Sequence, residues 1–440
     1  MSFAKILIAI LLLMPVPSAL PAPFSTDSQA NAGSSSSEII EYSLPPDKLQ
    51  KSHALYLEAI RFNIIDTIYG FVLLVALLYF GVAAYLRDFA EKKSPNKWLQ
   101  GLIVFPLFLI TTSVLTIPGE VYHQHVRLAY GLSVQGWESW WGDWVKTLVL
   151  ATTLETVLLL LLYAMIRRSS KRWWFYGWLS CIPVVIFVIF IAPLVIEPLF
   201  FKFTPLEQNN PELVTQIERV VKRGGLDIPR DRMFSMNASA KYTGDNAYVS
   251  GFGASKRVVV WDTTEKHLTP GEIMFVFGHE MGHYVLNHIL KGIAATLVLL
   301  LVLLYLAYLC SGWTVRRWGT KYKIRDFSDI ASLPLLFILL GVFSFISSPL
   351  QSGVSRYFEH QADTYGLEAI HGLVPDSQRV AAGSFQKLGE NWLDYPYAGD
   401  FYEWWSQDHP ITRKRMHYAQ EYNPWAEGKE PHFIKTPSKQ

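Results

Sequence analysis

Thr269-Pro270-Gly271-Glu272, followed by His279-Glu280-Met281-Gly282-His283, is the stretch on which the fold turns. Thr269 reads as a helix N-cap, Pro270 occupies the first helical position, and Glu272 closes a capping box, so the histidines lie inside a helix. A helix turns by about 100° per residue, which puts His279 and His283 on one face where both can grip a single metal ion. Glu280 sits one step round. From there it can take a proton from a water beside the metal without becoming a ligand. Ile273, Met274, Phe277, Met281, Tyr284 and Val285 make the rest of this helix mostly apolar, as a site sheltered from bulk water requires.

The surrounding composition points to a membrane. Half of the 440 residues are apolar, 14% are aromatic and 17% are charged, against about a quarter charged in soluble proteins. The apolar residues are clustered, which argues for a polytopic membrane protein. A net charge of +2 gives no support to a nucleic-acid partner. Cys181 and Cys310 both sit in apolar runs without metal-ligand spacing and read as core or lipid-facing residues.

At the start of the chain Lys5 precedes an apolar run from Ile6 to Met14, then prolines and small residues, so 1–22 reads as a signal peptide or an uncleaved N-terminal anchor. The stretch from Ser25 to Ser37 is polar and small and reads as linker, part of an extension covering 23–62. Six later runs have the length of a membrane-spanning helix: 63–86, 99–117, 147–166, 175–196, 289–310 and 331–350. They divide the chain into a four-helix transmembrane region (63–196), a polar region with the histidine motif (197–288), a transmembrane hairpin (289–350) and a second polar region (351–440). The two polar regions are expected to form one domain. Within the first, Pro211 to Gly224 is amphipathic, and residues 246–252 and 257–261 read as a β-hairpin around Gly253 to Lys256.

Charge between the spans is asymmetric. Arg87, Lys92, Lys93 and Lys97 lie in the first short loop, Arg167, Arg168, Lys171 and Arg172 in the third, and Arg316, Arg317, Lys321, Lys323 and Arg325 in the fifth. By the positive-inside rule these loops are cytoplasmic and the motif region is extracytoplasmic, which agrees with a signal peptide.

A catalytic zinc site takes three protein ligands. The third candidate is Glu359, in Ser355-Arg356-Tyr357-Phe358-Glu359-His360-Gln361-Ala362-Asp363. Asp363 shares its helical face and can hold a ligand histidine or contact the reacting centre. The motif helix is expected to continue into the fifth span and the sixth span into the Glu359 helix. Their rises beyond the membrane, about 12 and about 14 Å, would then meet at one height. His288 and His360, rotated away from the ligand faces, read as non-ligands. Glu155 and Glu197, at or within spans, are expected to face a polar cavity or a partner.

Together with Asn246-Ala247-Tyr248, Ile191-Ala192-Pro193 through Pro198-Leu199-Phe200 to Lys202-Phe203-Thr204-Pro205-Leu206, and His409-Pro410 followed by Arg415, these motifs resemble the type I CAAX prenyl proteases, integral-membrane zinc metalloproteases. The resemblance covers most of the chain from about residue 60. It implies that His279, His283 and Glu359 bind zinc, that Glu280 activates water and that Asp363 assists. It further implies that Asn246 and Ala247 belong to an edge strand that pairs with an extended substrate, and that His409 and Arg415 lie near the active site. Members of this family enclose a chamber with their helices and cut membrane-associated peptides near the C-terminus. The N-terminal segment and the charge bias both depart from the cytosol-facing prenyl-protein enzymes.

The expectation is therefore a mainly α protein, a polytopic membrane helical bundle with a small α+β zincin-like metalloprotease domain. It holds one Zn²⁺ per chain and acts on membrane-associated or CAAX-like peptide substrates. The competing readings are a membrane scaffold with a structural metal, which would normally use four protein ligands, and a transporter, which would need paired interrupted helices.

Overall fold

A computed structural model describes residues 39–251 and 256–435. The expected leader or anchor and the linker from Ser25 to Ser37 lie outside the described residues.

Helix α1 (Pro46–Tyr79) starts with a proline at its first position and runs for 34 residues. It begins inside the expected 23–62 extension, well before the apolar run at 63–86 does. It also ends early. At Phe80-Gly81 the glycine adopts a left-handed conformation (φ 67°) that a side chain would resist, and the chain turns into α2 (Val82–Lys93). Helix α3 (Lys97–Ala129) begins on Asn96, whose side chain accepts the Trp98 N–H. Then come α4 (Trp137–Arg168) and the shorter α5 (Trp173–Ile191), 19 residues long, which gives way to a π turn at Ala192–Ile196 and a 3₁₀ turn at Glu197–Leu199.

The polar region that follows contains β1 (Phe203–Pro205), α6 (Leu206–Asn209), α7 (Pro211–Arg223), β2 (Met233–Met236), β3 (Ala247–Ser250), β4 (Arg257–Trp261) and α8 (Asp262–His267). The strands lie in the order β1-β2-β4-β3. Strands β2 and β4 run parallel, while both outer pairs are antiparallel. The two strands of the expected hairpin pair antiparallel, Ala247 with Val260 and Ser250 with Arg257, while residues 252–255 of its turn lie outside the described residues. Helix α7 buries Leu213, Ile217, Val220 and Val221, the apolar face read from its sequence.

Helix α9 (Pro270–Val285) carries the histidine motif and has the capping box in full. Thr269 N–H donates to Glu272 Oε2 at 2.6 Å, and Glu272 N–H donates to Thr269 Oγ1. It does not run on into the next span. After Leu286 the chain passes through Asn287 in the left-handed region (φ 58°), and α10 (His288–Trp318) starts as a new helix. Asparagine tolerates that conformation better than most residues do, which localises the break there. Helix α11 (Leu333–Ile370), by contrast, is continuous for 38 residues through Pro349 and carries Glu359 and Asp363. Helices α12 (Ser377–Trp392), α13 (Asp400–Ser406) and α14 (Thr412–Glu421) complete the polar domain.

Among the described residues five helical segments are long and apolar enough to cross a membrane: Pro46–Tyr79, Lys97–Ala129, Trp137–Arg168, His288–Trp318 and Ile330–Ile370. Their interior packs on Phe105, Phe108, Tyr163, Leu333 and Leu336, whereas Ile64, Ile65, Val72, Val298 and Val302 point outward. Such exposed apolar flanks are stable against lipid rather than water. The basic segments gather at one end. Arg325 pairs with Glu91 at 2.7 Å, Arg87 pairs with Asp329, and Trp173 packs on Phe327.

Candidate metal centre

Small residues allow α9 and α11 to touch along their backbones. A Cβ on Gly278 would lie 3.3 Å from the Gly366 Cα, one on Gly282 would lie 3.2 Å from the Ala362 Cα, and one on Gly366 would meet the His279 amide nitrogen at 3.0 Å. This close seam presses the two imidazoles of α9 against the carboxylate of α11.

His279, His283 and Glu359 each offer a ligand atom within 4.8 Å of the others. His279 Nε2 is 3.4 Å from Glu359 Oε2, His283 Nε2 is 3.3 Å from Glu359 Oε1, and the two Nε2 atoms are 3.1 Å apart. Three donors thus converge, and Glu359 is 2% exposed. Its buried Oε2 is balanced by ionic contacts rather than by well-directed hydrogen bonds, with nitrogens of His279, His409 and Arg415 3.4, 3.2 and 3.4 Å away.

The outer contacts fix the imidazole of His279. Its Nδ1–H donates to Asp363 Oδ1 at 2.8 Å, which leaves the Nε2 lone pair directed at the cluster. Asp363 in turn accepts from Arg415 Nε at 2.9 Å and Nη2 at 2.6 Å, a two-pronged clamp. Two nitrogens and a carboxylate oxygen are the donor set of a catalytic zinc site, so these residues fit that ion.

Electrostatics follow from this crowding. Burial works against charge on His279, but the Asp363 and Glu359 carboxylates outweigh it and push the imidazole up to about 10, so that a proton and a cation compete for its Nε2 lone pair. Burial raises Glu280 above the usual carboxylate range, although the neighbouring His279 and His283 pull the other way. His409 is pushed up to about 9: burial opposes its charge, and Glu359 and Asp408 prevail. Glu280 Oε1 stands 4.0 Å from His279 Nε2, beside the cluster rather than within it.

The remaining sequence candidates fall in several places. His409 Nε2 reaches Glu359 Oε2 at 3.2 Å, and Arg415 Nη2 comes within 3.4 Å of the same oxygen. Asn246 directly precedes β3, an edge strand that begins at Ala247 and packs on α9. His360 lies against Tyr418 and outside the donor group. His288 is also outside that group, yet its Nδ1 is 3.2 Å from His283 Nδ1, a contact hidden from the sequence because a continuous helix would have carried it away. Glu197 accepts from Tyr248 at 2.6 Å and Arg257 at 2.7 Å, while Glu155 Oε1 is buried with no hydrogen bond.

A bundle of membrane-spanning helices joined to a small sheet and a helix pair that bears a candidate metal centre has the make-up of an integral-membrane metalloprotease. Residues 30–202 match the model of the CAAX prenyl protease N-terminal region with five membrane helices, and residues 207–423 match that of peptidase family M48. The chain belongs to peptidase family M48. It is 36% identical over 357 residues to the uncharacterized metalloprotease YhfN of Bacillus subtilis, covering 81% of this chain and 80% of that one. It is 25% identical over 422 residues to the CAAX prenyl protease 1 homolog of Homo sapiens, covering 84% and 85%. The fold is that of the crystal structure of S. mikatae Ste24p, with a TM-score of 0.72 at 22% identity over 85% of this chain and 89% of that one.

Proposed function

We propose that this metalloprotease is a zinc endopeptidase in which Glu280 is the general base, acting on membrane-associated polypeptides. The observation that carries the reading is the convergence of His279, His283 and Glu359 from two different helices, with Glu280 alongside. Zinc held by those three residues would supply a Lewis acid, able to polarise a carbonyl and to make water acidic enough to deprotonate near neutral pH. Glu280 takes the proton from the attacking water and returns it to the leaving amine. Its carboxylate, 4.0 Å from His279 Nε2, stands close enough to the donor group for both halves of that transfer. His409, whose Nε2 lies 3.2 Å from Glu359 Oε2, is placed to donate a hydrogen bond to negative charge developing on the carbonyl oxygen. Arg415, engaged by Asp363, positions rather than reacts. The free edge of β3, near Asn246 and Ala247, offers an extended substrate its backbone partners.

The basic loops gathered opposite this site support an extracytoplasmic active face. Relatives named CAAX prenyl proteases suggest CAAX-like peptides as one substrate class. An extracytoplasmic face instead favours membrane or translocating polypeptides. Glu280→Gln should retain stoichiometric zinc and lose cleavage of a membrane-anchored peptide, while His283→Ala should lose both. Turnover by Glu280→Gln at the wild-type rate would overturn the mechanism.

A further inference from the structure

The break at Asn287 has placed His288, only 3% exposed, against a metal-ligand candidate. Its Nδ1 lies 3.2 Å from His283 Nδ1, and its Nε2 lies 3.0 Å from Gln361 Oε1. Gln361 Nε2 donates to the Tyr357 hydroxyl at 3.2 Å, and the His288 ring stacks on Phe358 at 4.5 Å with the planes 11° apart. We propose that His288 is a positioning residue which, with Gln361, fixes the tautomer and orientation of the zinc ligand His283.

The argument is one of donors and acceptors. With its amide nitrogen given to Tyr357, Gln361 presents a carbonyl oxygen to His288, and a carbonyl only accepts. His288 therefore carries its hydrogen on Nε2 and leaves Nδ1 as an acceptor. That acceptor takes the hydrogen from His283 Nδ1, so His283 Nε2 keeps its lone pair and points it at His279 and Glu359. The reverse order would put the hydrogen on His283 Nε2 and leave no lone pair for a cation. Phe358 holds the intermediate ring flat. The two ligand histidines are thus steadied by different means, His279 by a charged carboxylate and His283 by a neutral chain of three side chains on α10 and α11. Partners of this type typically contribute roughly 10–100-fold to metal affinity or activity.

The inference rests on the zinc reading above and is tested on the full-length detergent-purified protein. Zinc affinity is measured by competition with a chromophoric chelator, and the ligand field by the visible spectrum of the cobalt(II)-substituted protein. His288→Phe keeps an aromatic ring to stack on Phe358 but has no acceptor, and should weaken zinc roughly 10–100-fold and alter the cobalt spectrum. His288→Asn restores an acceptor near the Nδ1 position and should recover most of the affinity. Gln361→Leu leaves His288 and its stacking in place, so it decides the matter if His288→Phe does not fold; it should also weaken zinc. Wild-type affinity in both His288→Phe and Gln361→Leu, or no recovery in His288→Asn relative to His288→Phe, would overturn the relay. Failure of wild-type protein to bind zinc at all would remove the site reading itself, whereas normal wild-type binding with indifferent variants removes the relay alone.

Discussion

Gly282 on α9 and Ala362 on α11 stand so close that a Cβ on the glycine would lie 3.2 Å from the Ala362 Cα. The same Cβ would meet the Tyr365 Cβ at 3.0 Å, so neither neighbour can swing aside as the end of a flexible side chain would. Gly282→Ala should therefore part the helices by a few tenths of an ångström, destabilise the protein by about 1–3 kcal/mol and weaken zinc. Gly292→Ala, whose Cβ would meet nothing within 4 Å, serves as control. Thermal unfolding with chelator competition checks both, and equal behaviour of the two variants would count against the seam as the determinant of ligand spacing.

Asp363→Asn keeps the shape of the clamp but removes the charge that holds both His279 and Arg415. Zinc affinity should fall roughly 10–100-fold. Arg415→Lys should fall as well, because an ammonium cannot make the two-pronged contact. Unchanged chelator competition in Asp363→Asn would contradict the role given to the clamp.

Zinc should stabilise the fold by mass action. At a free concentration about 100 times Kd the gain is about 2.7 kcal/mol, seen as a rise in Tm. Glu280→Gln should rise by as much as wild type, and His279→Ala should show no rise. A rise in His279→Ala would point to binding elsewhere.

Asp394 supplies a pH signature away from the donor group. Burial lifts its carboxyl from 3.8 to about 6, against the hydrogen bond from Thr412 and the positive His409 and Arg415. A group raised in the folded state contributes stability that is complete below its unfolded value and lost as pH rises through its folded one. In chelator-treated protein, wild type should therefore lose Tm relative to Asp394→Asn as pH rises from about 4 through about 6. Parallel Tm curves for the two proteins would refute the assignment.

Orientation is read by labelling. Ala240 is exposed in the polar domain and Lys321 is exposed among the basic loops. In a background lacking Cys181 and Cys310, Ala240→Cys should react with an impermeant maleimide from the extracytoplasmic side and Lys321→Cys from the cytoplasmic side. The opposite pattern would reverse the topology and bring cytosolic prenylated proteins back as substrates.

The helical membrane architecture and the capped motif helix were legible because each rests on a local signal: apolar run length, and Thr269 with Pro270 and Glu272. Glu359 comes beside the histidines on α11, unbroken across Pro349, although the other half of the expected match in height fails because α9 stops before Asn287. The start of α1 at Pro46 was missed, since its first turns are polar and resemble an exposed extension. The contact of His288 with His283 was missed for a subtler reason. One residue, Asn287, leaves the helical region, and a face count along a straight helix cannot survive that change. The Gly278, Gly282 and Gly366 seam was in plain sight but acquires meaning only when two helices are known to cross there.

Because α11 is a single unbroken helix, its apolar span and the carboxylate of Glu359 belong to one stiff object. From Leu350 to Glu359 it climbs about 14 Å, a height that an extended polypeptide covers in about four residues. A chain tethered in the bilayer brings a peptide bond to the centre only when that bond lies the right number of residues from its anchor. On the proposed reading the rod would serve as a yardstick, setting where to cut by distance from the membrane rather than by the identity of any side chain.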